Sequence, residues 1–257
     1  MSQQELNPSA DNPHRHTRRT ILQAAALAGM AVATGPLTLA ATTQPAAPGK
    51  IKLGIIGSGR VGSALGSAWL KAGHEVMFSS QHLENDKELA AKLGKNAHAG
   101  TPREAAAFGT VLLIAVPYTA LAAVGKDLGE LIRGKIVIDA CNPIVARDGE
   151  MATAARERGV GLVSIEALPG ARIIRAFNAI QAAKMGDATA NTQTIGMPMA
   201  GDDAAAISVV SDLVREVGYE PVLVGTLAGL GKYLMPGTPL AGEHSPAEIR
   251  TIAAGLK

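Results

Sequence analysis

Cysteine is all but missing from this sequence: one residue, Cys141, in 257. A lone cysteine makes no intramolecular disulfide and no cysteine-rich metal site, so nothing in the fold depends on an oxidising compartment. Aromatic residues are only 3% of the chain, too few for the stacking platform that single-stranded nucleic acid requires. Charge of one sign is lacking as well. Against 24 Lys and Arg stand 22 Asp and Glu, a net charge of +2 with no basic stripe, which argues against binding a phosphate backbone. No nucleic-acid partner is expected. His74, His98 and His244 are scattered without ligand spacing, so no metal site is assigned. There is no internal repeat and no long low-complexity tract. What the chain does have is apolar mass, 47% hydrophobic residues, ample for a buried core.

The first forty-odd residues read differently from the rest. A polar stretch leads into Thr17-Arg18-Arg19-Thr20-Ile21-Leu22, then an apolar run that ends near Gly35-Pro36. The run is shorter than the roughly 20 apolar residues that span a bilayer. Small residues follow at Thr38, Ala40 and Ala41, as a signal peptidase site requires. The segment resembles a twin-arginine signal peptide, with Ile21 where Phe is commoner and Gln23 where Lys is commoner. The expectation is therefore a signal over residues 1–42, a linker over 43–49 (TQPAAPG), and a periplasmic mature protein. No stable membrane insertion is expected after processing. If the amino terminus is instead a basic tail, the protein is cytoplasmic.

From Lys50 onward, strand and helix patterns alternate. Lys50–Ile56 is an apolar run ending at glycine, and Val61, Ala64, Leu65, Ala68, Trp69 and Ala72 then fall on one helical face. HEVMFSS reads as a strand, residues 84–93 as a helix, and Thr101-Pro102-Arg103-Glu104 as a capping box with proline at the first helical position. TVLLIAVP and KIVIDACNP are continuous apolar strands flanking a helical stripe from Leu121 to Ile132. Further on, VGLVSI, RIIRAFN, TQTIGMPMAG and EPVLVG read as strands. Ile207 to Val217 forms a helix capped by Asp202 or Asp203, and Ser245-Pro246-Ala247-Glu248 opens a last short one. Strands that are apolar throughout are buried on both faces, and helical crossovers between them make a parallel sheet. The expected class is α/β, a Rossmann-like doubly wound parallel sheet. It divides into a dinucleotide domain over residues 50–144 and a smaller α/β portion over 145–257 that completes the cleft for the electron acceptor.

Gly57-Ser58-Gly59-Arg60-Val61-Gly62 follows the first strand and opens the first helix. In that context the three glycines do different things. Gly57 permits the tight turn, Gly59 lets backbone approach a pyrophosphate, and Gly62 allows helix to pack on strand. The helix N-terminus offers N–H groups and a positive dipole end to the phosphates. At the end of the second strand, an NAD site usually has a carboxylate for the ribose hydroxyl. Here stand Ser79-Ser80-Gln81-His82. With no carboxylate there to repel a 2′-phosphate, and with Ser80 able to donate to one, NADP is expected, NAD being the alternative. Val116-Pro117 closes the next strand beside the switch point of the sheet, where ligands bind. DACNP, residues 139–143, borders the nicotinamide side. There Asn142 serves either turn chemistry or a contact to the nicotinamide or its ribose. Asn178 has the same two readings. Cys141 reads as a buried small residue in preference to a redox group, and Asp202-Asp203 as a helix cap.

Taken together, GSGRVG, GHEVMFSS, AGTPREAAAFGTVLLIAVP, GKIVIDACNP, ARIIRAFN, MAGDDAAA and GYEPVLVG resemble the NADPH-dependent factor-420 reductase family. The reductase domain of the STEAP ferric reductases is similar too. The resemblance covers nearly all of residues 51–234. It implies an NADP(H)-dependent oxidoreductase that passes hydride between nicotinamide and a flavin or 8-hydroxy-5-deazaflavin co-substrate, with chemistry resting on ring proximity. It also assigns the phosphate loop to Ser58, Gly59, Arg60 and Val61, and the 2′-phosphate to Ser80. No catalytic side chain is assigned. One position departs from the family, which commonly follows that serine with arginine where this chain has Gln81. A charge-assisted bond is worth roughly 1.5–3 kcal/mol, so NADP preference should be narrowed by about one to two decades, with Arg60, His82 or Lys87 as candidates to compensate. Two other classes of function are compatible with the same residues: an exported dinucleotide-binding redox module without its own turnover, and a small-molecule dehydrogenase. The short Gly- and Pro-rich tail after residue 226 counts against the second. The expected partner is a small-molecule electron acceptor, with a homodimer as the candidate assembly.

Overall fold

Lys52–Ile56 forms the first strand, β1, because two apolar layers claim it at once: Leu53 and Ile55 face one, Ile56 the other. The structure, a computed structural model, describes residues 49–185 and 194–256. The signal peptide expected over residues 1–42 and most of the expected linker lie outside the described residues, as does the start of TQTIGMPMAG. The described residues pack as one unit.

After β1 come α1 (Arg60–Lys71), β2 (Glu75–Ser79), α2 (Leu83–Leu93), β3 (Ala97–Ala99), α3 (Pro102–Phe108) and β4 (Val111–Ile114). They are followed by α4 (Leu121–Ile132), β5 (Ile136–Asp139), α5 (Val145–Arg158), α6 (Val160–Ala167) and β6 (Arg172–Arg175). β7 (Gly196–Gly201), α7 (Ala204–Glu216), β8 (Glu220–Gly225) and α8 (Pro246–Gly255) complete the order. The strands make one sheet, β3-β2-β1-β4-β5-β6-β7-β8, parallel throughout except where β6 meets β7. Its first six strands have the dinucleotide-fold order, with the reversal between β1 and β4. This is the doubly wound α/β sheet expected from the sequence. The portion after residue 144 extends the same sheet with β6, β7 and β8.

Helices cover both faces. On one, Leu53, Ile55, Phe78, Leu113 and Ile138 pack against Trp69 of α1 and Val210, Leu213 and Val214 of α7. The Trp69 indole also donates to the Leu213 carbonyl at 3.0 Å, tying α1 to α7. On the other, Ile56, Leu112, Ile114 and Val137 meet Ala105 of α3 and Leu121 and Leu128 of α4. Burial on both sides is why these strands carry no polar alternation.

The capping boxes at Thr101 and Ser245 form as their sequences require. Asp203, not Asp202, caps α7, accepting from the Ala206 N–H at 2.8 Å while it also pairs with Arg172 at 2.6 Å.

One expectation fails. VGLVSI is not a strand but the body of α6. A short apolar run has no diagnostic period, and tertiary contacts choose the helix. Val160, Gly161 and Ser164 are buried on its inner side, while Leu162 and Ile165 are left 41% exposed. β3, only three residues long, and α5, whose buried positions include Asp148 and two alanines, lacked a readable stripe. RIIRAFN is a strand only to Arg175, since Phe177 turns to a φ of +66°.

α4 packs on α6 at Gly125, where a Cβ would fall on the Ala167 carbonyl. Gly125→Ala should cost about 1–3 kcal/mol through overpacking. The expected readout is a lower urea midpoint with an unchanged m-value.

Candidate functional site

The carboxyl ends of β1, β2 and β4 open onto a cavity of about 970 Å³. Its floor is the turn between β1 and α1. The N–H groups of Gly57 and Ser58 both donate to the Ser79 carbonyl, at 2.9 and 3.1 Å, so the turn is pinned to the end of β2. Gly57 has φ +102°, and a Cβ there would lie 2.5 Å from the Ala115 carbonyl oxygen, so neither conformation nor space admits a side chain. A Cβ on Gly62 would collide with the Gly57 carbonyl, and the missing atom lets α1 sit directly on β1. Gly59 is different. It is the N-cap of α1, its φ is an ordinary −65°, and no side chain caps the helix there. A Cβ at Gly59 would meet no protein atom within 4 Å. The N-terminus of a 12-residue helix thus begins at a residue of the cavity wall and has no capping side chain. That cradle fits the pyrophosphate of a dinucleotide.

The rest of the wall has two characters. Val116, Pro117, Ala120, Val124 and Leu128 make an apolar side. Ser80, Gln81, His82, Thr101 and Arg103 make a polar end beyond β2. Arg103 holds its position by donating to the Asp127 carbonyl at 2.7 Å.

Of the sequence-derived residues, Gly57, Ser58, Gly59, Ser80, Gln81, Val116 and Pro117 line this cavity. Arg60 is exposed at the start of α1, Val61 packs against the core, and Gly62 is buried beneath the turn. None of the three is on the cavity wall, and only the backbone of Arg60 and Val61 belongs to the uncapped helix end. Ser79 is fully buried and donates its hydroxyl to the Ile55 carbonyl at 2.7 Å, a link between strands. Asn142 lies apart, at the end of β5. Its amide donates to the Asn178 carbonyl at 2.8 Å, and Asn178 donates to the Cys141 carbonyl at 3.1 Å, so the two asparagines splice the ends of β5 and β6. Among the candidates to compensate for Gln81, His82 is on the wall, whereas Lys87 pairs with Glu84 at 2.8 Å. Arg103, legible in the sequence only as part of a helix start, is the guanidinium at the polar end.

The expectation that no carboxylate stands at the end of β2 is overturned. Asp86, in the first turns of α2, is 1% exposed and reaches back beneath the polar end. Ser58 donates its hydroxyl to Oδ1 of Asp86, and Ser80 donates to Oδ2 at 2.8 Å. Ser80 also accepts from the His82 N–H at 3.0 Å. In sequence Asp86 is one more acidic residue near a helix N-terminus, favourable there for the dipole alone. Only the fold sets it between the two serines.

Beside β5 lies a buried polar cluster. Arg175 and Asp139, both 0% exposed, pair at 2.5 Å, and Ser164 donates to the same carboxylate oxygen at 2.5 Å. Burial pushes the Cys141 thiol well above its usual range, and the Tyr118 phenol likewise. Both stay protonated, and Cys141, donating to the Ile114 carbonyl at 3.4 Å, packs as a small core residue and is no nucleophile.

Residues 52–143 match the family model described as NADP oxidoreductase, coenzyme F420-dependent. A metalloreductase, STEAP3 of Rattus norvegicus, is 28% identical over 182 residues, covering 69% of this chain but 34% of the relative. The chain thus spans about a third of that protein. An F420-dependent NADP reductase from Methanothermobacter marburgensis is also 28% identical, over 183 residues, 65% of this chain and 80% of the relative. Among solved structures, a hypothetical protein from Sinorhizobium meliloti superposes with a TM-score of 0.66 at 26% identity, over 77% of this chain and 96% of that one.

Proposed function

We propose that this chain, whose residues 52–143 match the NADP oxidoreductase, coenzyme F420-dependent family model, passes hydride between NADP(H) and a flavin or deazaflavin ring. The observation that carries the reading is the uncapped helix end at Gly59 in the floor of the cavity. In it, the backbone at Gly59, Arg60 and Val61 holds the pyrophosphate. Ser80, Gln81, His82 and Arg103 surround the adenosine ribose. Val116 and Pro117 would offer an apolar wall to the nicotinamide, with Asn142 at the neighbouring end of β5. A bound NADPH would supply the hydride. The chain supplies binding, orientation and an apolar wall, which suffices for transfer between two stacked rings. Neither Cys141 nor Tyr118 lines the cavity, and neither is given an acid–base role.

The test is oxidation of NADPH by the purified protein, followed by loss of nicotinamide absorbance, with FMN or deazaflavin supplied separately. Turnover with either acceptor supports the reading. Tight NADPH binding without turnover on either one overturns hydride transfer to a flavin-like ring and favours a dinucleotide-binding redox module.

The location of that chemistry is also a proposal. Arg18-Arg19, the apolar run and the small residues after it support twin-arginine export, a route that carries folded proteins, with NADP loaded before transit. Mass analysis of nucleotide released from processed periplasmic protein tests it. Stoichiometric NADP is expected, and an apo protein overturns preloading.

A further inference from the structure

We propose that Asp86 sets which dinucleotide the cavity accepts, by taking the hydroxyl protons of Ser58 and Ser80. The inference rests on the reading that this cavity holds a dinucleotide. A serine hydroxyl has one proton and two lone pairs, and a carboxylate only accepts. The Ser80 proton is committed to Asp86, and one of its lone pairs takes the His82 N–H. One lone pair remains for the cavity. An ordinary ribose 2′-hydroxyl can donate to it. A 2′-phosphate, rich in acceptor oxygens, finds no donor there and meets instead a carboxylate directly behind the serine.

Ser58 is in the same position, since its proton goes to the other oxygen of Asp86. The pyrophosphate is then left to backbone N–H groups alone. Sites for NAD usually present an acidic side chain at the end of the second strand. Here the carboxylate arrives from α2 and acts through a hydroxyl. Asp86 is buried and does not line the cavity, so it is a positioning residue. Arg103 and His82, on the wall, favour the phosphate. The net result for the wild-type protein is a narrow preference, with NADPH and NADH affinities within about tenfold of each other.

Asp86→Asn keeps the shape, removes the charge and returns at least one hydroxyl proton to the cavity. Asp86→Ala returns both. Equilibrium titrations of NADPH and NADH, followed by nicotinamide fluorescence, read the affinity ratio within each protein, so a general loss of folded protein cancels. Either substitution should raise the NADPH-to-NADH ratio by about tenfold or more, the size of a recovered bond to a charged group. Ser80→Ala, which removes the acceptor for the ribose hydroxyl and no donor to the 2′-phosphate, should cause no selective loss of NADPH binding in the wild type, and should reduce the gain in the Asp86→Asn background. A ratio that Asp86 variants leave unchanged overturns the proposal, as does a selective loss of NADPH binding in the Ser80→Ala single variant. Failure of the wild-type protein to bind either nucleotide overturns the cofactor reading and this inference with it. Binding of both with an unresponsive ratio overturns this inference alone.

Discussion

Gly59→Glu is expected to weaken NADPH binding by about a hundredfold or more while leaving thermal stability near that of the wild type. The two halves of this result have separate causes. Gly59 already has a backbone conformation open to any residue, and a Cβ there touches no protein atom within 4 Å. The fold therefore tolerates a side chain. What the side chain does is fill the approach to the α1 N-terminus and place a negative charge where a pyrophosphate must sit. Two like charges about 4 Å apart repel by about 4 kcal/mol at an effective dielectric constant near 20, more than the roughly 2.7 kcal/mol of a hundredfold loss. Gly59→Ala, which adds bulk without charge, should fall between. Gly57→Ala and Gly62→Ala should instead cost stability, because their Cβ atoms meet backbone. The check is a nucleotide titration paired with thermal melts of each variant. If Gly59→Glu binds within tenfold of wild type, the glycine loop is not the pyrophosphate site.

Arg175→Met is expected to lower the melting temperature by on the order of 10 °C. Arg175 and Asp139 are both fully buried, and removing one partner strands the other as an uncompensated charge, which costs about 3–5 kcal/mol. For a domain of this size each kcal/mol moves the midpoint by about 2–4 °C. The guanidinium does more than neutralise. Its second arm donates to the carbonyls of Cys141 at 3.2 Å and Leu234 at 2.9 Å, so it joins the end of β5 to the segment after β8. Lysine has no such fork, and Arg175→Lys should recover only part of the loss. Arg175→Met with Asp139→Asn should be milder than Arg175→Met alone, since no bare charge is left. Equal destabilisation in the double variant would show that the lost carbonyl bonds, and not the stranded carboxylate, dominate. Differential scanning calorimetry of the four proteins decides it.

Features that a few neighbouring residues decide were legible from the chain alone. The glycine turn, the capping boxes at Thr101 and Ser245, and the apolar strands each depend on contacts within a handful of positions, and their residue types admit few other conformations. Their alternation then implied a parallel sheet, because consecutive parallel strands need a crossover between them. Where burial and not local pattern decides, the pattern misleads: VGLVSI is equally apolar as strand or helix, and the close approach of Gly161 to the Leu227 carbonyl goes with the helix. The polar chemistry of the site was hidden for a related reason. Arg175 and Asp139 are 36 positions apart, and Asp86 is 28 from Ser58. A buried carboxylate is permitted only where donors converge on it, and convergence belongs to the packed strands and helices. The sequence by itself determined that a dinucleotide-type loop follows the first strand of a parallel sheet. Only the tertiary structure decided which hydroxyls that loop keeps for a ligand, because a proton spent on a buried neighbour cannot be counted along the chain.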